Sequence, residues 1–313
     1  MHADNPPAEE TGNVIYCFQK NFIREDEMIS FRSDYSLGAH PEVMQALIDT
    51  NMEQTDGYGM DPHCGHAAEL VKQLIGTDDC AVRMMIGGTN CNVALIAAAL
   101  RPYEAAVAAR SGHIYHHETG AVEATGHKII AEDGENGKLT PAMIDRAFEE
   151  YEDEHTVLPR LCDAFYIGGT KNGALFGEAL VILNKKIDDH FRWMIKQKCG
   201  LLAKGRLIGV QFEALLRGGE NSLYYRMAAG TNRMAERLRK GLEAAGCTFI
   251  SESDTNQLFP VLPADAVHRL EKDFFFYEWA PEKDGMIPVR FVCSWGTTEQ
   301  DVDALIRAVR EGL

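Results

Sequence analysis

From Ser30 onward the apolar positions switch between a spacing of three to four and short unbroken runs, the pattern of helices alternating with strands. Val43, Ala46, Leu47 and Ile48 share roughly one face of a helix predicted over residues 41–54. A second helix is predicted over 67–75, and the run 80–86 reads as a strand ending in Gly87-Gly88-Thr89. Residues 92–100 read as a buried helix. Strands follow at 105–109 and 128–131, with a short helix between them. Thr140 before Pro141 marks a helix start, with a hydroxyl at the cap and proline at the first helical position. A strand at 164–167 runs into Gly168-Gly169-Thr170-Lys171, with 179–183 as its expected partner.

Residues 185–245 are helix-rich, broken at Gly218-Gly219. Beyond them, strands near 248–251, 257–262, 274–279 and 289–294 alternate with helices near 264–272 and 298–311. Thr298 and Asp301 are spaced like a capping box at the start of the last helix. Alternation on this scale predicts an α/β large domain with a mostly parallel sheet and a smaller α/β unit at the end. The expected division is a polar tail over 1–28, with one apolar patch at Val14 to Phe18, a large domain over 29–220 and a small domain over 221–313.

Composition narrows the function classes. The chain has 313 residues and a formal charge of −16, with pI near 5.1. Such an acidic protein repels phosphate backbones, so nucleic acid is not an expected partner. The eight cysteines contain no C-x-x-C pair, which argues against a zinc cage and a disulfide scaffold and for reduced thiols in a cytoplasmic protein. The start lacks a secretory pattern, and the longest apolar run, Val93 to Leu100, is far short of the ~20 residues that span a bilayer. No membrane partner is expected.

Three segments carry candidate chemistry. Lys171 follows an apolar strand on a glycine-rich turn, at the kind of sheet edge where α/β proteins build their sites. A partly desolvated amine there can form a Schiff base, although a solvated loop lysine fits the same residues. A Walker loop is excluded, because G-x-x-x-x-G-K-[ST] is absent. Gly87, Gly88 and Thr89 precede a helix, and bare amides with a threonine hydroxyl form a cup for a phosphate; glycine-rich strand-to-helix turns are also common for purely steric reasons. In Gly112-His113-Ile114-Tyr115-His116-His117-Glu118, His113 can stack on a planar cofactor or act as a base. Adjacent side chains do not converge on one ion, so no metal is expected.

Taken together, these segments resemble the threonine aldolases of the aromatic amino acid β-eliminating lyase group, pyridoxal-phosphate enzymes of the aspartate-aminotransferase fold. The resemblance runs from about Phe31 to the C-terminus. It rests on Arg32-Ser33-Asp34, Gly57-Tyr58-Gly59-Met60-Asp61-Pro62, Gly87-Gly88-Thr89-Asn90, His113, Thr119-Gly120-Ala121, Gly137-Lys138-Leu139-Thr140, Thr170-Lys171 and Arg290-Phe291. It implies that Lys171, next to Thr170, holds pyridoxal 5'-phosphate as a Schiff base while Gly87, Gly88 and Thr89 hold the phosphate. His113 would stack on the ring, Ser33 and Arg290 would bind the substrate carboxylate, and Tyr58 would reach the site across a dimer interface. Lys204 and Arg206 would add positive charge near the phosphate or serve as surface helix charges. The implied reaction is retro-aldol cleavage of L-threonine or L-allo-threonine, a small amino acid substrate, to glycine and an aldehyde. A homodimer or homotetramer is implied.

One departure from the family stands out. The Asp-Gly-Ala-Arg-like motif, whose aspartate pairs with the pyridine nitrogen, is absent. Thr89 and Lys171 are 82 positions apart, and the family pattern needs another strand–helix–strand unit of roughly 40 to 60 residues between them. The expectation is an internal deletion at Arg160–Leu161 that removes about two strands. Asp163, at the far end of the lysine strand, is a poor substitute. The alternative is therefore a non-catalytic remnant or isoform acting at most as a dimerising partner, and a third option redirects the chemistry to β-elimination or racemisation.

Overall fold

In a computed structural model of the protein, the structure describes residues 28–135, 137–150 and 162–312. The tail over residues 1–27, with its apolar patch, and the expected deletion point at Arg160–Leu161 lie outside these residues. Strand β1 (Ile29–Ser30) precedes helix α1 (Pro41–Asp49). The helix stops five residues short of the predicted end. The Thr50 hydroxyl donates to Ala46 O at 2.9 Å, and Arg206 holds the carbonyls of Thr50 and Asn51. Helix α2 (Pro62–Ile75) starts five residues before the predicted 67, because Asp61 Oδ1 accepts from Cys64 N at 2.9 Å and Pro62 occupies the first turn.

The next elements are β2 (Ala81–Met85), α3 (Gly88–Ala99), β3 (Ala105–Ala109), α4 (His113–His116), β4 (Lys128–Glu132), α5 (Pro141–Glu150), β5 (Ala164–Gly168) and β6 (Glu178–Ile182). After these come α6 (Lys185–Asp188), α7 (Phe191–Gln197), α8 (Arg206–Leu216) and α9 (Leu223–Ala244). Strand β6 is buried along its whole length. Its alternation divides the core into two layers, since successive strand side chains point to opposite faces. Ala179 and Val181 join α2 and α8 through Val71, Ile208 and Phe212. Leu180 and Ile182 join α3 and α7 through Cys91, Ala94, Phe191 and Ile195.

Strand order positions the candidate site. β2 and β5 each pair with β6 in antiparallel fashion, so they run parallel to one another on either side of it. β3 and β4 form a separate parallel pair. The strands of the large domain thus lie in two pieces, and among the described residues β5 and β3 each keep one edge without a ladder partner.

The C-terminal elements are β7 (Thr248–Phe249), β8 (Gln257–Leu258), β9 (Pro260–Pro263), α10 (Ala264–Leu270), β10 (Phe274–Phe275), β11 (Tyr277–Glu278), β12 (Met286–Val292) and α11 (Glu299–Gly312). Two predicted strands divide. Residues 257–262 become β8 and β9, both paired with β12. Residues 274–279 become β10, paired with β1, and β11, paired with β12. Phe31, Leu238, Leu242, Leu262, Phe291, Val302 and Leu305 fill this second core. Helix α9 links the two cores, with Leu223 and Met227 in the first and Ala235, Leu238 and Leu242 in the second.

Candidate active site

The register of the three-stranded piece brings the two glycine-rich turns to one end of the sheet. Met85 pairs with Glu178, and Glu178 pairs with Gly168. Two inter-strand spacings separate Met85 from Gly168, about 10 Å. Gly87 and Lys171 follow these residues closely in the chain, so the α3 cradle and the lysine turn face the same space. No side chain caps α3 at Gly87, and a Cβ placed on Gly87 would meet nothing within 4 Å. The first amides of this helix are therefore open to an anion. They border a cavity of about 470 Å³ that Thr89, Asn90 and Lys198 also line. This open cradle fits a phosphate.

Lys171 leaves the strand through a tight reversal. Gly169 N and Thr170 N donate to Gly177 O at 3.0 and 3.2 Å, and the Thr170 hydroxyl accepts from Gly177 N at 3.0 Å. Gly177 has φ of +115°, a region that disfavours any side chain. The Lys171 ammonium lies 3.6 Å from Asp34 Oδ1 and 5.9 Å from the centre of the Tyr35 ring. Asp34 is itself held by Asn256 Nδ2 at 3.0 Å. Glu178 is buried beneath the turn and accepts from Gly169 N at 3.0 Å. Burial raises its pKa above the ordinary carboxylate value, against the hydrogen bonds of Thr170 and Gly169 and the charge of Lys171.

His113 begins α4, and its Nδ1 lies 2.8 Å from Glu118 Oε1. Asn92 on α3 donates to the same oxygen at 2.7 Å. The His117 ring centre is 5.4 Å from that of His113. Burial, followed by the charges of His116, His113 and Arg290, lowers the His117 pKa. Arg290 therefore approaches the histidine cluster from β12. Its guanidinium stacks on Tyr277 at 5.0 Å and Trp279 at 5.2 Å, and Nη2 donates to Arg32 O at 3.4 Å. Its buried Nε–H has no hydrogen-bond partner among the described residues.

Among the residues expected from sequence, Ser33 is buried and shares a 2.6 Å hydrogen bond with Ser36. It immediately precedes Asp34, the partner of Lys171. Tyr58 lies against the segment that runs from α7 to α8. Its N–H donates to Ala203 O at 3.1 Å, its carbonyl accepts from Arg192 at 2.7 Å, and Lys196 lies over its ring. Arg206 is committed to the carbonyls of Thr50 and Asn51, at 2.6 and 3.0 Å. Asp163 secures the opposite end of the lysine strand, accepting from Leu183 N and Asn184 N. Asp34, Tyr166 and Glu118 stand in segments read from the sequence but without the partners found here, and Asn92 and Lys198 have no local pattern that marks them. Only the spacing of Glu118 five residues after His113 offered a hint.

An α/β sheet between helical layers, with a lysine turn facing an uncapped helix start, defines an aspartate-aminotransferase-type fold. Aspartate aminotransferase from Thermus thermophilus superposes with a TM-score of 0.62 at 15% identity, covering 92% of both chains. The Beta-eliminating lyase family profile matches residues 30–160. The solved threonine aldolase of Leishmania major has a TM-score of 0.86 and 35% identity, over 90% of this chain and 99% of that one. Low specificity L-threonine aldolases of Pseudomonas sp. and Pseudomonas aeruginosa are each 25% identical, over 91% of this chain and 98% of their own length. The chain belongs to the threonine aldolase family, whose implied cofactor is pyridoxal phosphate. Each Pseudomonas alignment runs over 347 positions. Since 91% of 313 residues is about 285, some 62 aligned positions face a gap in this chain.

Proposed function

We propose that the protein is a pyridoxal-phosphate-dependent lyase that splits β-hydroxy-α-amino acids, L-threonine and L-allo-threonine among them, into glycine and an aldehyde. The observation that carries this reading is the placement of Lys171 and the open start of α3 at one end of the β2–β6–β5 sheet. When bound, the cofactor supplies an electron sink for the pair freed by carbon–carbon cleavage.

The chain's own residues do the rest. The amides of Gly88 and Thr89 and the Thr89 hydroxyl hold the phosphate, and Lys198 adds positive charge on that side. Lys171 Nζ holds the carbonyl end, and Asp34 positions the amine. His113 supports one face of the ring. Arg290 takes the substrate carboxylate with its unpartnered Nε–H and terminal nitrogens, helped by Ser33, and Tyr277 and Trp279 keep its guanidinium flat. His117, with its lowered pKa, is neutral at pH 7 and can accept the proton of the β-hydroxyl. Tyr58 belongs to the site of the neighbouring copy in a homodimer or homotetramer.

A second reading has the divided sheet behind it. With β5 and β3 each lacking a neighbour among the described residues, and no Asp-Gly-Ala-Arg-like motif in the sequence, the chain is a low-activity form or a non-catalytic remnant that only pairs with other chains. Adding pyridoxal phosphate to the purified chain decides between them. A visible imine band and a borohydride-trapped adduct on Lys171 support the enzyme, with aldehyde release from L-threonine and L-allo-threonine as the test of reaction. Absence of both band and adduct leaves the remnant.

A further inference from the structure

The His113 side chain is 61% exposed, whereas the Glu118 side chain that meets it is 0% exposed. A fully buried carboxylate is costly unless it is paired and hydrogen-bonded, so its partners carry the argument. Its partners are specific. Oε1 receives Asn92 Nδ2 at 2.7 Å from α3 and faces His113 Nδ1 at 2.8 Å from α4. Oε2 is buried with no hydrogen-bond partner among the described residues. An ionised carboxylate only accepts, so a 2.8 Å bond to it from the ring needs the proton on Nδ1.

Asn92 also connects this pair to the phosphate cradle. The Asn92 side chain acts on the Tyr166 phenol of β5, and a Cβ placed on Gly88 would lie 3.2 Å from the Tyr166 hydroxyl. Burial raises the Tyr166 pKa, with smaller contributions from Cys91, Glu178 and Glu118, so the phenol stays protonated. The other charged or titratable groups around the histidine are His116, His117 and, through His117, Arg290. None of these offers an acceptor anion to Nδ1. Among the described residues, Glu118 is the acceptor that can fix both the plane and the tautomer of the ring.

We infer that Glu118 is a positioning residue that, anchored by Asn92, locks His113 as the Nδ1–H tautomer with its ring held over the α3 cradle. The inference rests on the reading of the site as a cofactor-dependent lyase, and its first test needs no cofactor. Nitrogen-15 NMR of the histidines in the unliganded chain, assigned with His113→Gln, reads the tautomer directly. The expected result is Nδ1–H in the parent chain, partial retention in Glu118→Gln, whose amide oxygen still accepts, and a mixture or Nε2–H in Glu118→Ala. An Nε2–H tautomer in the parent, or an unchanged His113 signal in a folded Glu118→Ala chain, overturns it.

The second test uses the loaded protein. Glu118→Ala should keep the imine band on Lys171 while kcat falls roughly ten- to a hundred-fold with a smaller change in KM, and Glu118→Gln should recover part of the loss. Loss of the imine band in step with loss of fold would make Glu118 structural and overturn the assignment. If the parent chain itself shows no imine band, the lyase reading fails, and the tautomer measurement still decides the role of Glu118 toward His113.

Discussion

Gly209 marks where a single hydrogen atom decides how closely two helices approach. A Cβ there would lie 2.5 Å from Cys64 N and 2.7 Å from His63 C, both backbone atoms that cannot turn aside. Gly209→Ala must push α8 from α2, an overpacking change that costs about 1 to 3 kcal/mol. The thermal midpoint should fall by several degrees, and an unchanged midpoint would mean that the helices separate freely. Next to this contact, His63 lies between two carboxylates, Glu213 on Nδ1 and Glu53 on Nε2, each at 2.8 Å. Burial alone would lower its pKa, but the bonds and charges of Glu213 and Glu53 outweigh it and raise the pKa above 6.5. The folded state therefore binds this proton more tightly than the unfolded chain. The resulting stability is complete below about pH 6.5 and fades as pH rises through the folded-state value. Urea midpoints from pH 6 to pH 8.5 should decline, and His63→Gln should flatten the decline. Such packing and pairing were invisible in sequence, because Gly209 and His63 are 146 positions apart. Lys171 and Gly87–Thr89 were legible because each sits on its own local pattern.

At the scale of elements, local signals gave good boundaries where the chain itself supplied the stop. Thr298 and Asp301 do form a reciprocal cap: Thr298 N donates to Asp301 Oδ2 at 2.8 Å and Asp301 N to Thr298 Oγ1 at 3.2 Å. Val302, Leu305, Ile306 and Val309 of α11 then fill the small core. Thr298→Ala removes one acceptor and should cost about 1 kcal/mol, read as a lower unfolding midpoint with the far-ultraviolet circular dichroism unchanged. Boundaries set by distant partners were missed. α1 ends early because Arg206 holds Thr50 and Asn51 from another helix. The predicted strand over 274–279 divides because its halves pair with β1 and β12. A propensity reading sees one apolar run there, and only the tertiary neighbours decide that it bends.

The whole molecule raises the question of what its sheet is missing. Some 62 positions of the relatives' alignment find no residue here, and the strands flanking the expected deletion point, β3–β4 before it and β5 after it, form no ladder with each other. A strand–helix–strand unit needs a crossover of a dozen or more residues plus two strands, which this number of unmatched positions accommodates in total. It would cover the bare backbone groups that an open edge exposes, and its strand beside β5 could bring a carboxylate toward the cofactor ring. Grafting the unmatched segment of the Pseudomonas aeruginosa relative between Arg160 and Leu161 tests this at both levels. Amides of β3 and β5 should exchange rapidly in the parent chain compared with those of the buried β6. In the graft they should become protected, the unfolding midpoint should rise, and the imine on Lys171 should form at lower pyridoxal phosphate concentration. If β3 and β5 are already as protected as β6 in the parent, their edges have found partners without the segment, and a shortened but complete sheet is the native form.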